Sequence, residues 1–389
     1  MEGDFIKINK ALLPLSWLYG LGVGFRNMLF NIGLLKSRAF DVPVISVGNI
    51  TVGGTGKTPH VEYLIETLKD QFRVAVLSRG YKRKSKGYIK ATSRTTMQEI
   101  GDEPYQIKQK YPSVTVAVDS DRCHGIDCLV ETDKQLDVIL LDDAFQHRYV
   151  KPGINILLVD YHRLVIYDKL LPAGRLREPL SGKNRADMVI VTKCPKDLKP
   201  MEYRVINKAM DLYPYQQLFF TTIDYGELRP VFPAVPSAAT LSQLQNRHVL
   251  LLTGIASPEQ LTHDLSPLTP HITPLTFADH HEFSDKDVQL INDTFASIGK
   301  AGIIITTEKD ATRLQQAKGL SDEVVNNLYA LPIKVCFMLD QQNNFNSQII
   351  NYVHKNSRNS ILVKRKDDDK SKDSDYSGDR PRTISFRDY

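Results

Sequence analysis

Residues 42 to 59 restrict the fold of this chain more than any other stretch. Val42 to Val47 is an apolar run that reads as a short buried strand. It leads through Gly48-Asn49-Ile50-Thr51-Val52-Gly53-Gly54-Thr55-Gly56-Lys57-Thr58-Pro59 into a segment with Val61, Leu64, Ile65 and Leu68 at helical spacing. Strand, glycine-rich turn and helix start, with Gly-Lys-Thr at the junction, is the arrangement that cradles nucleotide phosphates. Backbone N–H groups of the turn point inward, and the positive end of the helix faces the anion. Lys57 is expected at the β- and γ-phosphates and the Thr58 hydroxyl at Mg²⁺. The usual pattern has a glycine five residues before Gly56, where this chain has Thr51. Gly53, Gly54 and Gly56 still supply the positive-φ positions a tight loop needs. Thr51, Gly53, Gly54, Thr55, Gly56, Lys57 and Thr58 are therefore the expected nucleotide-binding residues.

Apolar runs recur along the chain with helical segments between them. Val74–Leu77, Val114–Val118, Val138–Leu141, Ile154–Val159 and Met188–Val191 read as strands buried on both faces. Such alternation predicts a parallel sheet with crossover helices, hence a three-layer α/β domain with ligands at the carboxyl ends of its strands. The region near Tyr215–Val231 is extended, with Phe219, Phe220, Thr221, Thr222 and Ile223, and with the prolines from Pro230 to Pro236 it reads as a connection between domains. Val249–Leu252, Ile272–Phe277, Ile303–Thr307 and Leu331–Phe337 then predict a second, smaller α/β unit. A length of 389 residues fits about two domains. The expected organisation is an N-terminal apolar segment at 1–38, a core domain at 39–215, a smaller domain at 216–355 and a disordered charged tail at 356–389.

The net charge of +5 permits anionic ligands without requiring nucleic acid. Cys123, Cys128, Cys194 and Cys336 show no disulfide or ligand-pair spacing, which fits a reducing compartment. Cys123 and His124 beside Cys128 lack a second ligand pair, so packing is the better reading there. Ala11 to Phe25 carries no charge but is too short to span a bilayer and is interrupted by Pro14, Gly20, Gly22 and Gly24. Its Leu, Phe and Trp17 content, closed by basic residues, suits a segment lying in a membrane interface as well as one buried against the domain.

Four further stretches carry chemistry. Val138 to Leu141 ends in Asp142-Asp143-Ala144-Phe145-Gln146-His147-Arg148, and a strand ending in aspartates near a phosphate loop is where a Mg²⁺-binding carboxylate belongs. One aspartate is expected at the metal while the other fixes Gln146 or His147. Gly101-Asp102-Glu103-Pro104 holds its carboxylates between a glycine and a proline, which makes Asp102 a candidate base for an acceptor hydroxyl. Phe277-Ala278-Asp279-His280-His281 offers histidines at a strand end, suited to proton handling rather than zinc. Leu77-Ser78-Arg79-Gly80-Tyr81-Lys82-Arg83-Lys84-Ser85-Lys86 is a basic loop for phosphate groups, an anionic surface or plain solvation.

Together these motifs closely resemble the tetraacyldisaccharide 4′-kinase family, the lipid A 4′-kinases of Gram-negative bacteria. The likeness continues through Leu170-Leu171-Pro172-Ala173-Gly174-Arg175-Leu176-Arg177-Glu178-Pro179, Arg185-Ala186-Asp187 and Val191-Thr192-Lys193. It reaches Gly254-Ile255-Ala256, Asp279-His280 and Thr307-Glu308-Lys309-Asp310-Ala311, spanning about residues 10 to 340. At Arg175 the chain departs from the family, which usually carries a smaller residue there.

The resemblance implies a P-loop NTPase-type parallel sheet sandwiched by helices, and ATP- and Mg²⁺-dependent phosphorylation of the 4′-hydroxyl of a tetraacylated glucosamine disaccharide 1-phosphate. It also implies a peripheral protein of the cytoplasmic face of the inner membrane, with no nucleic acid and no stable protein partner. By the same resemblance Lys57 and Thr58 serve the nucleotide and its metal. Asp142, Asp143 and Glu178 face the metal, Asp102 and His280 activate the acceptor hydroxyl, and Arg177 lies in a loop beside it. Closure of the two domains over ATP would then assemble the base. Two other readings of the loop are a regulatory NTPase and an ATP-dependent ligase. Val191-Thr192-Lys193-Cys194 lacks the aspartate two residues after the lysine that guanine selection would need, since Pro195 stands there.

Overall fold

The computed structural model describes residues 8–232, 240–255, 258–279, 281–299 and 302–357. Ala256, His280 and the expected tail from residue 358 onward lie outside the described residues, as does most of the proline-rich stretch. The chain divides into two compact units, Met1–Ile223 with Val335–Tyr389, and Asp224–Lys334.

The first unit begins with α1 (Leu13–Asn31) and β1 (Val44–Gly48), followed by α2 (Lys57–Leu68), β2 (Val74–Ser78) and the short β3 (Ile89–Lys90). Next come α3 (Met97–Ile100), α4 (Asp102–Lys110), β4 (Thr115–Val118), α5 (Arg122–Thr132) and β5 (Val138–Asp142). Then β6 (Ile154–Asp160), β7 (Met188–Thr192), α6 (Pro200–Met210) and β8 (Gln217–Tyr225) complete this pass. The second unit holds β9 (Arg229–Pro230), β10 (His248–Thr253), α7 (Pro258–Leu265), β11 (Ile272–Thr276) and α8 (Asp285–Ile298). It ends with β12 (Gly302–Thr307), α9 (Glu308–Leu314), α10 (Asp322–Asn327) and β13 (Leu328–Leu331), after which β14 (Ile333–Phe337) and α11 (Gln342–Asn356) return to the first unit.

The larger sheet runs β14-β8-β7-β6-β1-β5-β2-β4-β3 and the smaller β11-β10-β12-β13-β9. β1 lies between β5 and β6 and is parallel to both. Side chains alternate across the sheet, and both sets are buried. Ile45, Val47, Ile156 and Leu158 join the core under α2, α4 and α11. Val44 and Ile139 face α5, and Leu157 and Val159 face Phe145 and α6. Burial on both faces is what continuous Val/Ile/Leu runs predict, and it produces the expected three layers.

Three expectations change. Tyr215–Val231 is largely strand: β8 extends the parallel sheet beside β7, with Phe219 and Phe220 buried on its opposite faces. The run Leu331–Phe337 is split between two sheets at Pro332, which has no N–H for a ladder. Residues from Val335 therefore belong to the first unit rather than the smaller domain, and α11 carries order through the buried Asn356.

Pro14 sits at the start of α1, where its missing N–H costs no helical hydrogen bond. The helix continues past Gly20, Gly22 and Gly24 despite about 0.5–1 kcal/mol lost per glycine. At Gly20 the helix comes close to Leu170, whose Cδ1 would lie 2.7 Å from an added Cβ and would have to swing aside. Among the described residues no helix is long and apolar enough to cross a membrane.

Candidate active site

The parallel register builds the site. Val47 of β1 is the partner of Asp142 of β5, and Leu77 of β2 is the partner of Leu141, so the carboxyl ends of three strands meet. The chain leaving β1 makes the glycine-rich turn, with φ of 120° at Gly53 and 80° at Gly56. These are conformations that L side chains resist. Lys57 then starts α2.

Several buried contacts hold the turn. Asn49 Nδ2 donates to Thr55 Oγ1 at 2.8 Å, and Thr192 Oγ1 donates to Thr55 O at 3.0 Å. Lys193 donates to Gly54 O and to Asp160 Oδ2 at 2.8 Å. His60 Nδ1 lies 2.7 Å from Gly56 O. A carbonyl only accepts, so Nδ1 carries the proton and Nε2 accepts from Thr221 Oγ1 at 3.1 Å. Burial, helped by Lys193, pushes the His60 pKa down to about 4.

Thr51 pairs with Leu176 in an antiparallel bridge, with Val52 N donating to Arg175 O and Arg177 N to Ile50 O, both at 2.8 Å. The 170–178 loop is thereby clamped along the chain that enters the turn. Arg177 Nη1 lies 3.4 Å from Asp143 Oδ2, and Lys57 Nζ lies 3.7 Å from Asp143 Oδ1. Asp143 takes a left-handed conformation, φ 49°, to stand between the two cations. Lys57, Asp143 and Arg177, far apart in sequence, thus form one charge-alternating group.

Asp142 is buried. Its Oδ2 accepts from Ser78 Oγ at 3.4 Å, and its Oδ1 has no hydrogen-bond partner. Burial, Asp143 and Glu103 push its pKa up to about 7, against Lys57 and Arg122. A buried carboxylate with one unpartnered oxygen and a second aspartate next to it, at the carboxyl end of β5, is a donor set that suits a hard divalent cation. Thr58, Asp142 and Asp143 are the residues that would hold it.

Asp102 opens α4 immediately after Gly101, whose φ is 90° and whose added Cβ would lie 2.9 Å from Tyr81 O. That close approach holds the start of α4 against the chain leaving β2, and Glu103 is near enough to act on Asp142. The basic loop is partly tied down, since Arg83 donates to Gly87 O at 2.7 Å and Ser85 to Glu99 O at 2.5 Å.

Glu178 accepts with both oxygens from Arg185 Nη2, at 2.9 and 2.8 Å, in a buried ion pair that anchors the loop. One expectation is corrected here. Neither aspartate holds Gln146, whose Nε2 donates to Asn49 O at 2.5 Å and Glu178 Oε1 at 3.1 Å.

Arg122 escaped sequence reading. It is 3% exposed, and desolvation, with Arg79 nearby, draws its pKa down to about 10 against Asp142, Asp143 and Asp119. Only the fold brings it to the aspartates. Asp121, Cys123 and His147 also place ligand atoms within 4.8 Å of one another, supplying the partner for Cys123 that linear spacing lacked. Asp121 Oδ1 already accepts from two backbone N–H groups of α5, and the Cys123 thiol donates to Tyr149 O, so hydrogen bonding accounts for that group.

In the second unit, Asp310 and Arg313 form a buried pair at 2.9 Å, and Asp310 Oδ2 accepts from Gly254 N at 2.9 Å and from Thr307. The Thr307–Ala311 and Gly254 motifs thus brace each other. His281 pairs with Asp287 at 3.0 Å, and Asp279 with Lys309 at 3.3 Å.

Comparison with known proteins gives a consistent result. The family model for tetraacyldisaccharide-1-P 4′-kinase (LpxK) matches residues 8–354. A tetraacyldisaccharide 4′-kinase of Phocaeicola vulgatus is 60% identical over 92% of this chain and 99% of its own length. One from Porphyromonas gingivalis is 46% identical over 90% and 99%. The crystal structure of LpxK from Aquifex aeolicus in complex with ATP is similar with a TM-score of 0.68 and 32% identity, over 88% of this chain and 98% of that one.

Proposed function

This chain belongs to the tetraacyldisaccharide-1-P 4′-kinase family, and we propose that it transfers the terminal phosphoryl group of ATP to the 4′-hydroxyl of a tetraacylated disaccharide 1-phosphate. The observation that carries this reading is the Lys57–Asp143–Arg177 group at the mouth of a glycine-lined phosphate turn. Phosphoryl transfer passes through a loose transition state, so positioning and charge neutralisation supply most of the catalysis. The Gly53–Gly56 backbone cradles the phosphates, Lys57 neutralises the β- and γ-oxygens, and Asp143 keeps Lys57 and Arg177 aimed at one point. Thr58, Asp142 and Asp143 are the residues that would hold Mg²⁺, which would supply positive charge to the transferring phosphoryl group. Asp102 takes the proton of the acceptor hydroxyl, an effect worth about 10²–10⁴-fold.

The acceptor's acyl chains stay in a lipid phase, so the enzyme works at a membrane surface, on the cytoplasmic side where ATP is. α1 supports this. Trp17, Leu18, Leu21, Phe25 and Met28 are exposed along it and Ile32 just beyond its end, and burial at about 0.8 kcal/mol per CH₂ gives reversible attachment from a few such residues.

The test is incubation with labelled ATP and the disaccharide 1-phosphate in detergent. A kinase yields labelled lipid, whereas a regulatory NTPase yields only inorganic phosphate. Lys57→Ala and Asp102→Ala are each expected to lower turnover about 10²-fold or more. Full lipid labelling by Lys57→Ala would refute the assignment.

A further inference from the structure

We propose that Arg163 and Arg175 form a second pair of guanidinium donors for the terminal phosphoryl group, gathered at Gly53 of the phosphate turn. The proposal rests on the nucleotide reading of that turn and assigns two further catalytic residues to it.

The observation is at Gly53. A Cβ built there would lie 3.9 Å from Arg163 Nη1 and 4.0 Å from Arg175 Nη1. Two guanidinium groups from separate segments therefore converge on one point of the loop that wraps the phosphates. Both are held there by the same contacts that hold the turn. Arg163 ends the helical turn Tyr161–Arg163, which is capped by Asp160, and Asp160 is gripped by the Lys193 that also donates to Gly54 O. Arg175 accepts from Val52 N through its own backbone carbonyl.

Among the described residues neither the Arg163 nor the Arg175 guanidinium makes a hydrogen bond or ion pair. The nearby Asp168 carboxylate spends Oδ1 on the backbone N–H groups of Lys169, at 2.7 Å, and Arg175, at 3.1 Å. The Asp168 carboxylate acts on Arg163 electrostatically without forming an ion pair, so the repulsion between the two converging cations is only partly offset, and an anion seated between them removes the rest. Planar guanidinium groups match phosphoryl oxygens in a forked geometry that an ammonium cannot reproduce. The acceptor also carries a phosphate, but two sugar rings separate it from the hydroxyl being phosphorylated. The terminal phosphoryl group of the nucleotide is the phosphate that reaches Gly53.

In the transfer, the acceptor oxygen–phosphorus bond forms while the bond from phosphorus to the β,γ-bridging oxygen breaks. ADP leaves with that electron pair, and the hydroxyl proton passes to Asp102. Arg163 and Arg175 meet the negative charge that gathers on the peripheral and bridging oxygens. Donors aimed where charge develops are worth about 10²–10³-fold each.

The experiment compares Arg163→Ala, Arg175→Ala and the two Arg→Lys variants with wild type in the full-length protein. Steady-state kinetics are run with labelled ATP and the disaccharide 1-phosphate, and binding of ADP with Mg²⁺ is measured with and without aluminium fluoride, a planar mimic of the transferring group. We expect each Ala variant to lose about 10²-fold in kcat, with unchanged ADP affinity and thermal midpoint. The tightening by aluminium fluoride is lost, and the Lys variants recover part of it. Unchanged kcat and unchanged fluoride response overturn the proposal. So does a raised KM for the acceptor with kcat intact, which would assign the arginines to the acceptor's own phosphate. Wild-type protein that forms the fluoride complex but labels no lipid would sink the kinase reading and leave the arginine assignment standing.

Discussion

His60 shows how one side chain ties the nucleotide turn to the sheet beneath it. Its ring spans from Gly56 O to Thr221 Oγ1 and is buried. The unfolded chain takes up a proton near pH 6.5, whereas the folded His60 resists until about pH 4. Proton uptake by the unfolded state alone therefore costs stability as pH falls from about 6.5 to 4. Above that window the His60 contribution is constant, and over it the loss is about 3 kcal/mol. Denaturant unfolding at pH 7 and pH 4.5 should show this fall in wild type and a smaller one in His60→Gln. Equal pH dependence in the two proteins would refute the linkage. At the same scale, Gly53→Ala places a side chain at a φ of 120° and against two arginines, and it should cost turnover more than stability.

Among the elements, α1 has two faces with different tasks. On its inner face Ser16 Oγ donates to Leu170 O and accepts from Ala173 N, both at 2.9 Å, and the Tyr19 hydroxyl donates to Arg177 O at 2.7 Å. Arg26 reaches Gln146 O, and Arg148 Nη2 donates to Asn31 Oδ1 at 2.7 Å. The helix thereby holds the Arg177 loop and the Asp143 loop together. Its outer face is apolar, with Trp17 71% and Leu21 70% exposed. Trp17→Glu combined with Leu21→Glu is expected to abolish co-flotation with lipid vesicles while leaving the thermal midpoint unchanged. Retained flotation would remove α1 from the membrane contact.

On the scale of the molecule, the first unit is closed by chain that arrives last. Phe345 of α11 packs against Phe337 of β14 at 4.5 Å between ring centroids, Phe219 of β8 at 5.2 Å and Tyr63 of α2 at 6.1 Å. The helix that begins at Lys57 is thus supported by residues nearly 290 positions downstream. Phe345→Ala removes a fully buried ring and should destabilise by about 3–5 kcal/mol in urea unfolding. A loss near zero would show that α11 is not part of the first unit's core.

What the sequence determined by itself was local. Glycines at positive φ, a lysine and threonine after them, and apolar spacing on either side specify the phosphate turn, because backbone sterics and helical periodicity act over a few residues. Continuous apolar runs likewise identified β1, β2, β4, β5, β6, β7, β10 and β12, and a strand ending in Asp142-Asp143 marked the second half of the site. Tertiary structure decided which charges meet. It turned Asp143 to Lys57 and Arg177, gave Glu178 to Arg185, brought Arg122 to the aspartates, and divided Leu331–Phe337 between two sheets. Ion-pair partners and strand neighbours are chosen by packing between distant segments, and nothing in a residue's immediate neighbours in sequence encodes that choice.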